Sequence, residues 1–192
     1  MGPFLTWHNF HYVSEETGTD TFDSIATKLD IRDFSSRKVP GDIKLRVLEA
    51  GRLTGSGVNR QHWKFILVQA PDSLGKLAKD STSGNWVGNA NFAVIILTDP
   101  KLGFHRLDAG RAVQDMQLAA WNSGVASGLY TGVNEEALRR DFEIPKELHI
   151  SVIAGFGYPT KRITGKRKNR KPLGEVAFLE KYGNPVDPKK LQ

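Results

Sequence analysis

A run of six apolar residues at positions 92–97, Phe-Ala-Val-Ile-Ile-Leu, constrains the fold of this chain more than any other stretch. No polar residue alternates with the apolar ones, so neither face of the segment is suited to water. Runs of this kind are typical of strands that helices cover on both faces. The sequence therefore predicts a central strand in a sheet that lies between two layers of helices.

The segments around this run alternate between helical and extended patterns. We predict further strands at 64–69, 125–131 and 150–155, and helices at 21–29, 42–53, 74–79, 106–122 and 134–142. The helix at 106–122 is rich in small residues, which permit close packing against another element or another subunit. Because no internal repeat interrupts the alternation, the predicted class is α/β or α+β, with helices on both faces of a mixed sheet.

Composition limits the classes of protein to which the chain can belong. At 192 residues it is long enough for one domain with a substantial core and too short for two ordinary ones. It has no cysteine, which excludes disulfides and thiolate metal sites, and it has no apolar run of about 18 residues that could span a membrane. We therefore expect a cytoplasmic protein that does not associate with membranes.

The net charge of +6 arises from a single basic tract. Residues 161–171 contain seven Lys and Arg side chains and no acid, whereas the rest of the chain has 20 basic residues against 21 acidic ones. One local tract favours a local anionic partner, such as a single phosphate, over the extended backbone of a nucleic acid. Two alternatives stay open, namely a solvent-facing segment and a nucleic-acid contact.

A glycine-rich loop at 55–63, Gly-Ser-Gly-Val-Asn-Arg-Gln-His-Trp, has the composition of a binding site. Its small residues allow the backbone to approach a flat ligand closely, and its Asn and Gln side chains offer donors and acceptors. The alternative is an ordinary connector between a helix and a strand, with Trp63 anchoring the strand in the core.

Generic catalytic motifs are absent from the sequence. The stretch 51–56 lacks the Gly-Lys of a phosphate-binding P-loop, and the glycines at 155 and 157 precede a proline and the basic tract instead of a helix. The five histidines show no metal-type pairing beyond His8 and His11, so no metal site is predicted. No catalytic side chain is predicted either. If the chain is an enzyme, its reactive group belongs to a bound cofactor.

Several stretches, taken in order, resemble the motifs of the FMN-dependent nitroreductase family over about residues 20–178. They are Lys-Leu-Asp-Ile-Arg-Asp-Phe at 28–34, the loop at 55–65, Asp-Ala-Gly-Arg-Ala-Val-Gln-Asp-Met-Gln-Leu-Ala-Ala at 108–120, Gly-Val-Ala-Ser at 124–127, and Gly-Phe-Gly-Tyr-Pro at 155–159 with Arg-Lys-Pro-Leu-Gly-Glu-Val at 170–176. The resemblance implies an α+β, three-layer fold whose central mixed sheet is wrapped by helices and whose domain is completed by homodimerisation. The domain would span 20–178, between an N-terminal extension at 1–19 and a C-terminal tail at 179–192.

The resemblance also implies which residues bind FMN at the interface between two subunits. They are the phosphate-binding cations Lys28, Arg32, Lys168 and Arg170, the loop residues Ser56, Gly57 and Asn59 that a partner subunit lays against the flavin, the amide Asn89 at its pyrimidine edge, and the backbone donors Thr131 and Gly132 near N5 and O4. A phosphate monoester carries about −1.5 to −2 charges at neutral pH, which suits cations that converge from separate segments. The alternative for Lys28 and Arg32 is that they are solvated charges near a helix end.

The chain departs from the family pattern beside these cations. Members commonly have Arg and Ser where this chain has Leu29 and Asp30, and Pro where it has Gly55. An aspartate beside a phosphate is repulsive unless it points away or orients a cation such as Arg32. Asp30 is therefore included in the predicted cofactor site with its role left open.

The resulting hypothesis is a homodimeric oxidoreductase that transfers a hydride from NADH or NADPH through FMN to a small electrophilic acceptor, such as a nitroaromatic or a quinone. One alternative is a specialised enzyme of the same family that uses FMN for an oxidation or fragments the flavin, a group of which Asp30 is reminiscent. The other is a nucleic-acid-binding module built on the basic tract, which is less favoured. The sequence does not identify the natural acceptor, the preferred nicotinamide or the pathway.

Overall fold

A computed structural model describes residues 21–161 and 168–187, together with 189 and 191. The predicted N-terminal extension at 1–19 and most of the basic tract, 162–167, lie outside the described residues. The helices are α1 (Thr21–Thr27), α2 (Gly41–Leu53), α3 (Pro71–Lys79), α4 (His105–Asn122) and α5 (Glu135–Asp141). The strands are β1 (Lys64–Val68), β2 (Phe92–Thr98), β3 (Ala126–Tyr130) and β4 (His149–Gly157), and three short 3-10 turns occupy Gly57–Asn59, Asn85–Asn89 and Leu173–Glu175.

The four strands form one sheet in the order β1-β2-β4-β3. Every residue of β2 is buried, which confirms the interior strand that the apolar run predicted. The expected mixed sheet is replaced by three antiparallel pairings, because β2 separates β1 from β4 and β4 separates β2 from β3, so that neighbouring strands alternate in direction. Among the described residues, the parallel element is a single isolated bridge between Asp30 and Ser127.

Two helical layers cover the sheet, as a three-layer α+β fold requires. On one face, Val47 of α2 and Met116 of α4 join a core with alternate residues of β2 and β4. On the other face, Leu77 of α3 and Leu138 of α5 pack on the remaining alternate residues. The period of two along each strand thus distributes apolar side chains to both layers. The predicted α+β, three-layer class is confirmed, whereas completion of the domain by homodimerisation stays a prediction.

Three small residues of α4 are used within the subunit. Of the two possibilities that the sequence left open, Ala109, Ala112 and Ala120 pack against another element, because they are buried against the sheet. The other side of α4 carries the exposed side chain of Leu107 and the exposed Gly110. The close packing of α4 on the sheet places its buried polar residues directly beside β3 and the loop before β1.

Helix α5 shows how the sequence sets the boundaries of an element. The Asn134 side chain accepts a hydrogen bond from the Ala137 N–H at 3.2 Å and caps the first turn, which also carries Glu135. Arg139 lies in the last turn, where a cation offsets the helix dipole. Among the described residues, no helix combines the length and apolar character needed to cross a bilayer.

Candidate active site

The first group of predicted residues lies where the chain leaves α1 and runs beside β3. Lys28 Nζ donates to Asp30 Oδ1 at 2.8 Å and to Gln117 Oε1 at 2.9 Å. Gln117 Nε2 in turn donates to Asp30 Oδ1 at 3.1 Å and to Ser127 Oγ at 2.9 Å. The Ile31 N–H donates to the Ser127 carbonyl at 2.8 Å and fixes the segment against β3. Buried amide and hydroxyl groups therefore orient the ion pair of Lys28 and Asp30.

Asp30 pairs with a cation, so it is compatible with a phosphate site as a residue that orients a neighbouring positive charge. Burial would raise the pKa of Asp30, but the hydrogen bond and charge of Lys28, the Gln117 amide and the Arg32 charge together lower it. The carboxylate is thus ionised at neutral pH. Its hydrogen-bonded partner is Lys28 rather than the Arg32 that we had considered.

Arg32 extends from the same segment and remains available to a ligand. Its guanidinium carbon lies 5.7 Å from the centroid of the Trp86 ring. Within the described part of the chain, no carboxylate, carbonyl or hydroxyl accepts a hydrogen bond from this guanidinium. The cation–π contact is compatible with a second partner, because a guanidinium presents five N–H donors at its edge.

Lys168 and Arg170 join this group from the segment that follows the basic tract. Lys168 Nζ donates to the Ile25 carbonyl in α1. Burial lowers the pKa of Lys168, and the charges of Arg170 and Lys28 lower it further, whereas the Asp30 charge raises it. The hydrogen bond to Ile25 brings the segment of Lys168 to α1, directly before the segment of Lys28 and Arg32, although Lys168 follows Lys28 by 140 positions in sequence.

The donor set of this cluster fits a phosphate group. It contains four cations, Lys28, Arg32, Lys168 and Arg170, and one carboxylate, Asp30. Phosphate oxygens accept charge-assisted hydrogen bonds from Lys and Arg, and a monoester dianion offsets the excess of positive charge. We refer to these five residues as the cationic cluster.

The second predicted group is the loop at 55–61, which packs against the start of α4. The Gly57 N–H donates to Asp108 Oδ2 at 3.0 Å, and the Phe104 ring lies so close that a Cβ at Gly57 would approach it to 2.5 Å. Asp108 and Gln117 are nine residues apart on α4, or about 13 Å at 1.5 Å per residue. The loop and the cationic cluster therefore occupy different ends of α4, as expected if the loop serves the site of a partner subunit.

The third predicted group lies in the turn after β3. The Gly132 carbonyl accepts from the Thr82 N–H at 2.9 Å, and a Cβ at Gly132 would lie 2.5 Å from Thr82 Oγ1. Among the described residues, no backbone carbonyl accepts from the N–H groups of Thr131 or Gly132. These two donors are available to a ligand. Asn89 ends the 3-10 turn Asn85–Asn89 and its side chain is exposed.

Trp86 and Tyr130 pack between the cationic cluster and this turn. Their rings meet edge to face with centroids 5.7 Å apart. Trp86 also lies beneath Arg32, and Tyr130 is followed directly by Thr131. Burial, and then the Asp80 charge, raise the pKa of the Tyr130 hydroxyl, so it is neutral across the physiological range. The aromatic pair thus forms a rigid support between the two predicted ends of the ligand.

An open cavity of about 380 Å³ adjoins Thr131 on the α4 side of the sheet. Its polar lining includes Arg106, His149 and Ser151, and its apolar lining includes Ala109 and Val152. Burial, and then the Arg106 charge, lower the pKa of His149, which favours the neutral imidazole at neutral pH. Arg106 is the fixed positive charge of this cavity.

Comparisons with known proteins agree with the motif order. The nitroreductase family model matches residues 25–105 and 84–158. A protein of Archaeoglobus fulgidus, named as a candidate NADH dehydrogenase/NAD(P)H nitroreductase, is 31% identical over 144 residues, which are 70% of this chain and 83% of that protein. A protein of the same name from Methanothermobacter thermautotrophicus is 29% identical over 160 residues, which are 79% of this chain and 83% of that protein.

The fold is shared with a solved structure of a candidate nitroreductase from Desulfovibrio desulfuricans, determined in complex with FMN. It superposes with a TM-score of 0.75 at 23% identity, over 86% of this chain and 99% of that one. Fold, motif order and relatives together define an oxidoreductase. The chain belongs to the nitroreductase family.

Sequence reasoning missed several polar residues that support the predicted ones. Gln117 and Ser127 orient the ion pair of Lys28 and Asp30, and Asp108 holds the 55–61 loop. Asp108 and Gln117 fall on the buried stripe of α4, among apolar residues at helical spacing. A polar residue at such a position needs a buried partner, and that signal could have identified both.

Proposed function

We propose that this protein binds FMN and transfers a hydride from NADH or NADPH through it to a small electrophilic acceptor, such as a nitroaromatic or a quinone. The observation that carries the proposal is the cationic cluster: Lys28 pairs with Asp30, Arg32 follows on the same segment, and Lys168 reaches the Ile25 carbonyl of α1 with the Arg170 charge near it. Family membership supports the same cofactor. The FMN complex of the Desulfovibrio desulfuricans protein supports it as well.

In this proposal the cationic cluster holds the phosphate, and the turn after β3 holds the flavin ring. The N–H groups of Thr131 and Gly132 donate to N5 and O4, and Asn89 contacts the pyrimidine edge. Bound FMN supplies the chemistry of hydride acceptance and electron donation. The protein contributes orientation and positive charge, and no side chain is assigned as a general acid or base.

The second part of the proposal is a homodimer in which Ser56, Gly57 and Asn59 of one subunit contact the flavin of its partner. The separation of the loop from the cationic cluster along α4 supports this arrangement. Large apolar side chains near the loop are exposed, namely Leu53 at 66%, Val58 at 85% and Leu107 at 66%. Their burial between two subunits would remove apolar surface from water.

The acceptor is proposed to enter the cavity beside Thr131. Its volume of about 380 Å³ suits a ligand with one or two rings, since small-molecule sites begin at about 300 Å³. A second candidate function is a specialised reaction on the flavin itself, as in the alternative raised by Asp30. The observation behind that candidate is the ionised Asp30 carboxylate, which departs from the family pattern and is held by Lys28 and Gln117 within the cationic cluster.

The test is spectroscopic and uses the purified full chain. Protein reconstituted with FMN should show a bound flavin spectrum, lose its visible absorption on anaerobic addition of NADH or NADPH, and recover it when a quinone or a nitroaromatic is added. Failure to bind FMN would refute the proposal. Salt-dependent retention on DNA in the absence of any flavin would instead support a nucleic-acid-binding module. Reduction without reoxidation by either acceptor would favour the specialised reaction.

A further inference from the structure

Asp108 is a buried carboxylate that the proposed chemistry does not use. It lies in the first turn of α4, and its side chain is only 1% exposed. Its Oδ2 atom accepts from the Gly57 N–H at 3.0 Å and is 3.1 Å from His62 Nε2. Its Oδ1 atom is 3.8 Å from Arg111 Nη1. A buried carboxylate requires such partners. One of the three lies in the 55–61 loop, one directly follows it, and the third is on the next turn of α4.

The hydrogen bonds of His62 define its tautomer. The Asp99 N–H donates to His62 Nδ1 at 3.3 Å, so Nδ1 is an acceptor and Nε2 carries the proton. His62 Nε2–H therefore donates to Asp108. Because the His62 side chain is 6% exposed, this chain of bonds links the loop before β1 to α4 and to the end of β2 through groups that water does not reach.

The loop held by these bonds has an unfavourable backbone. Val58, Asn59 and Gln61 have φ values of 51°, 53° and 47°, in the left-handed region that residues other than glycine seldom adopt. For a β-branched residue such as Val58 this conformation is an outlier, and outliers persist only where surrounding contacts determine them. Ser56 Oγ accepts from the Gln61 N–H at 2.9 Å and closes the loop on itself. Asp108 anchors the loop to α4 through the Gly57 N–H.

We propose that Asp108 and His62 are positioning residues that hold the 55–61 loop in the conformation in which Asn59 and Ser56 reach the flavin of the partner subunit. The inference rests on the proposed FMN function and names residues that act through the loop without touching the cofactor. A loop that already has its bound conformation contacts the flavin without a further cost of ordering. The buried contacts with α4 are what maintain the strained conformation. Loss of the Asp108 contacts should let the loop relax away from the flavin.

The test is a double-mutant cycle on FMN affinity with Asp108→Asn and Asn59→Ala. The amide is isosteric with the carboxylate but is a weaker acceptor for two N–H donors, so Asp108→Asn should weaken FMN binding by about threefold to tenfold. In the Asn59→Ala background the same change should have a smaller effect, because only the contacts of Ser56 and Gly57 then remain to be positioned. His62→Gln should reproduce the pattern with a smaller effect.

A second measurement separates positioning from a general loss of structure. Asp108→Asn should alter the visible circular dichroism of bound FMN, which reports the surroundings of the ring. Asp72→Asn is the matched control, since Asp72 lies in the first turn of α3 on the opposite face of the sheet and should change neither quantity. Asp108→Ala would leave the two N–H donors that face Asp108 unsatisfied, which could unfold the protein. The isosteric Asp108→Asn variant therefore decides between positioning and a structural role.

The outcomes distinguish failure of the positioning role from failure of the proposed FMN function. Equal losses in both backgrounds, or an unchanged affinity and dichroism with a lower melting temperature, would show that Asp108 is structural and would overturn the positioning role alone. Absence of FMN binding by the wild-type protein would remove the proposed function, and with it the role assigned here. Non-additive losses with altered dichroism support both.

Discussion

Replacement of Arg32 by alanine tests the cationic cluster at the residue with the fewest other functions. Lys28 is engaged by Asp30 and Gln117, and Lys168 donates to the Ile25 carbonyl. Arg32, in contrast, makes a cation–π contact with Trp86 but no hydrogen bond within the described part of the chain. The fold should therefore tolerate Arg32→Ala, and the loss should appear in ligand binding.

The magnitude follows from the position of Arg32. A charge-assisted hydrogen bond contributes about 1.5–3 kcal/mol, and each 1.4 kcal/mol corresponds to about a tenfold change in affinity. Because the Arg32 side chain is exposed, water and salt screen its charge, which favours the lower end of that range. Three cations remain around the phosphate. We expect FMN binding to weaken by about tenfold at physiological salt and by up to about a hundredfold at low salt.

The assay is fluorescence titration of the apoprotein with FMN and with riboflavin, which lacks the phosphate. Riboflavin should bind wild type and Arg32→Ala equally. Arg32→Lys should recover part of the FMN affinity, because an ammonium supplies charge without the bidentate fork. Arg37→Ala is the matched control, since Arg37 also lies over an aromatic ring, 3.9 Å from the centroid of Tyr158, and is not one of the cationic cluster.

Three results would refute the reasoning. Equal losses for FMN and riboflavin would mean that Arg32 supports the ring or the fold instead of the phosphate. No loss for either ligand would remove Arg32 from the site. A loss for FMN that is as large in Arg37→Ala as in Arg32→Ala would indicate a long-range charge effect in place of a local contact.

Three further predictions concern the cavity, the surface and pH. Arg106→Gln should slow reoxidation of the reduced enzyme by 4-nitrobenzoate about tenfold in stopped flow, with little change for neutral 4-nitrobenzamide. Leu107→Glu should convert a dimer to monomers in light scattering, because it places a charge on an apolar surface that is 66% exposed in one subunit. Burial and the Arg106 charge hold the pKa of His149 in the folded state below the ordinary histidine value of 6.5. The neutral side chain therefore contributes its full stability above pH 6.5, and that contribution is lost as the pH falls through the folded-state pKa. His149→Asn should flatten the fall in melting temperature between about pH 7 and pH 5.

The sequence predicted the elements of this fold well because local patterns set them. The apolar run of β2, the small-residue pattern of α4 and the start of α5 beside Asn134 each appear at the predicted place. Strand order was less accessible. Alternating helices and strands favour parallel neighbours, but β4 enters the sheet between β2 and β3, and that choice depends on packing between distant segments.

The candidate site, like the fold, was predicted from the sequence only in part. The cations Lys28, Arg32, Lys168 and Arg170 were predicted from motif resemblance, and the structure places Lys168 against α1, directly before the segment of Lys28 and Arg32. That FMN binds there stays a prediction. The residues that orient the Lys28–Asp30 pair, Gln117 and Ser127, were not predicted. Their partners lie on other elements, and sequence spacing does not show which buried polar groups meet.

Asp30 shows how a residue that departs from a motif can fit the same site. Cations of the cluster repel one another: burial lowers the pKa of Lys168, and the charges of Arg170 and Lys28 lower it further. Asp30 offsets one of these charges by pairing with Lys28, which leaves a net charge of about +3 to meet a phosphate of about −1.5 to −2. The carboxylate therefore reduces the cost of assembling the cluster without removing its attraction for an anion. Since the pKa of Asp30 is itself lowered, this compensation is complete at neutral pH and is lost only as the pH falls below the ordinary aspartate value of 3.8 and through the folded-state pKa.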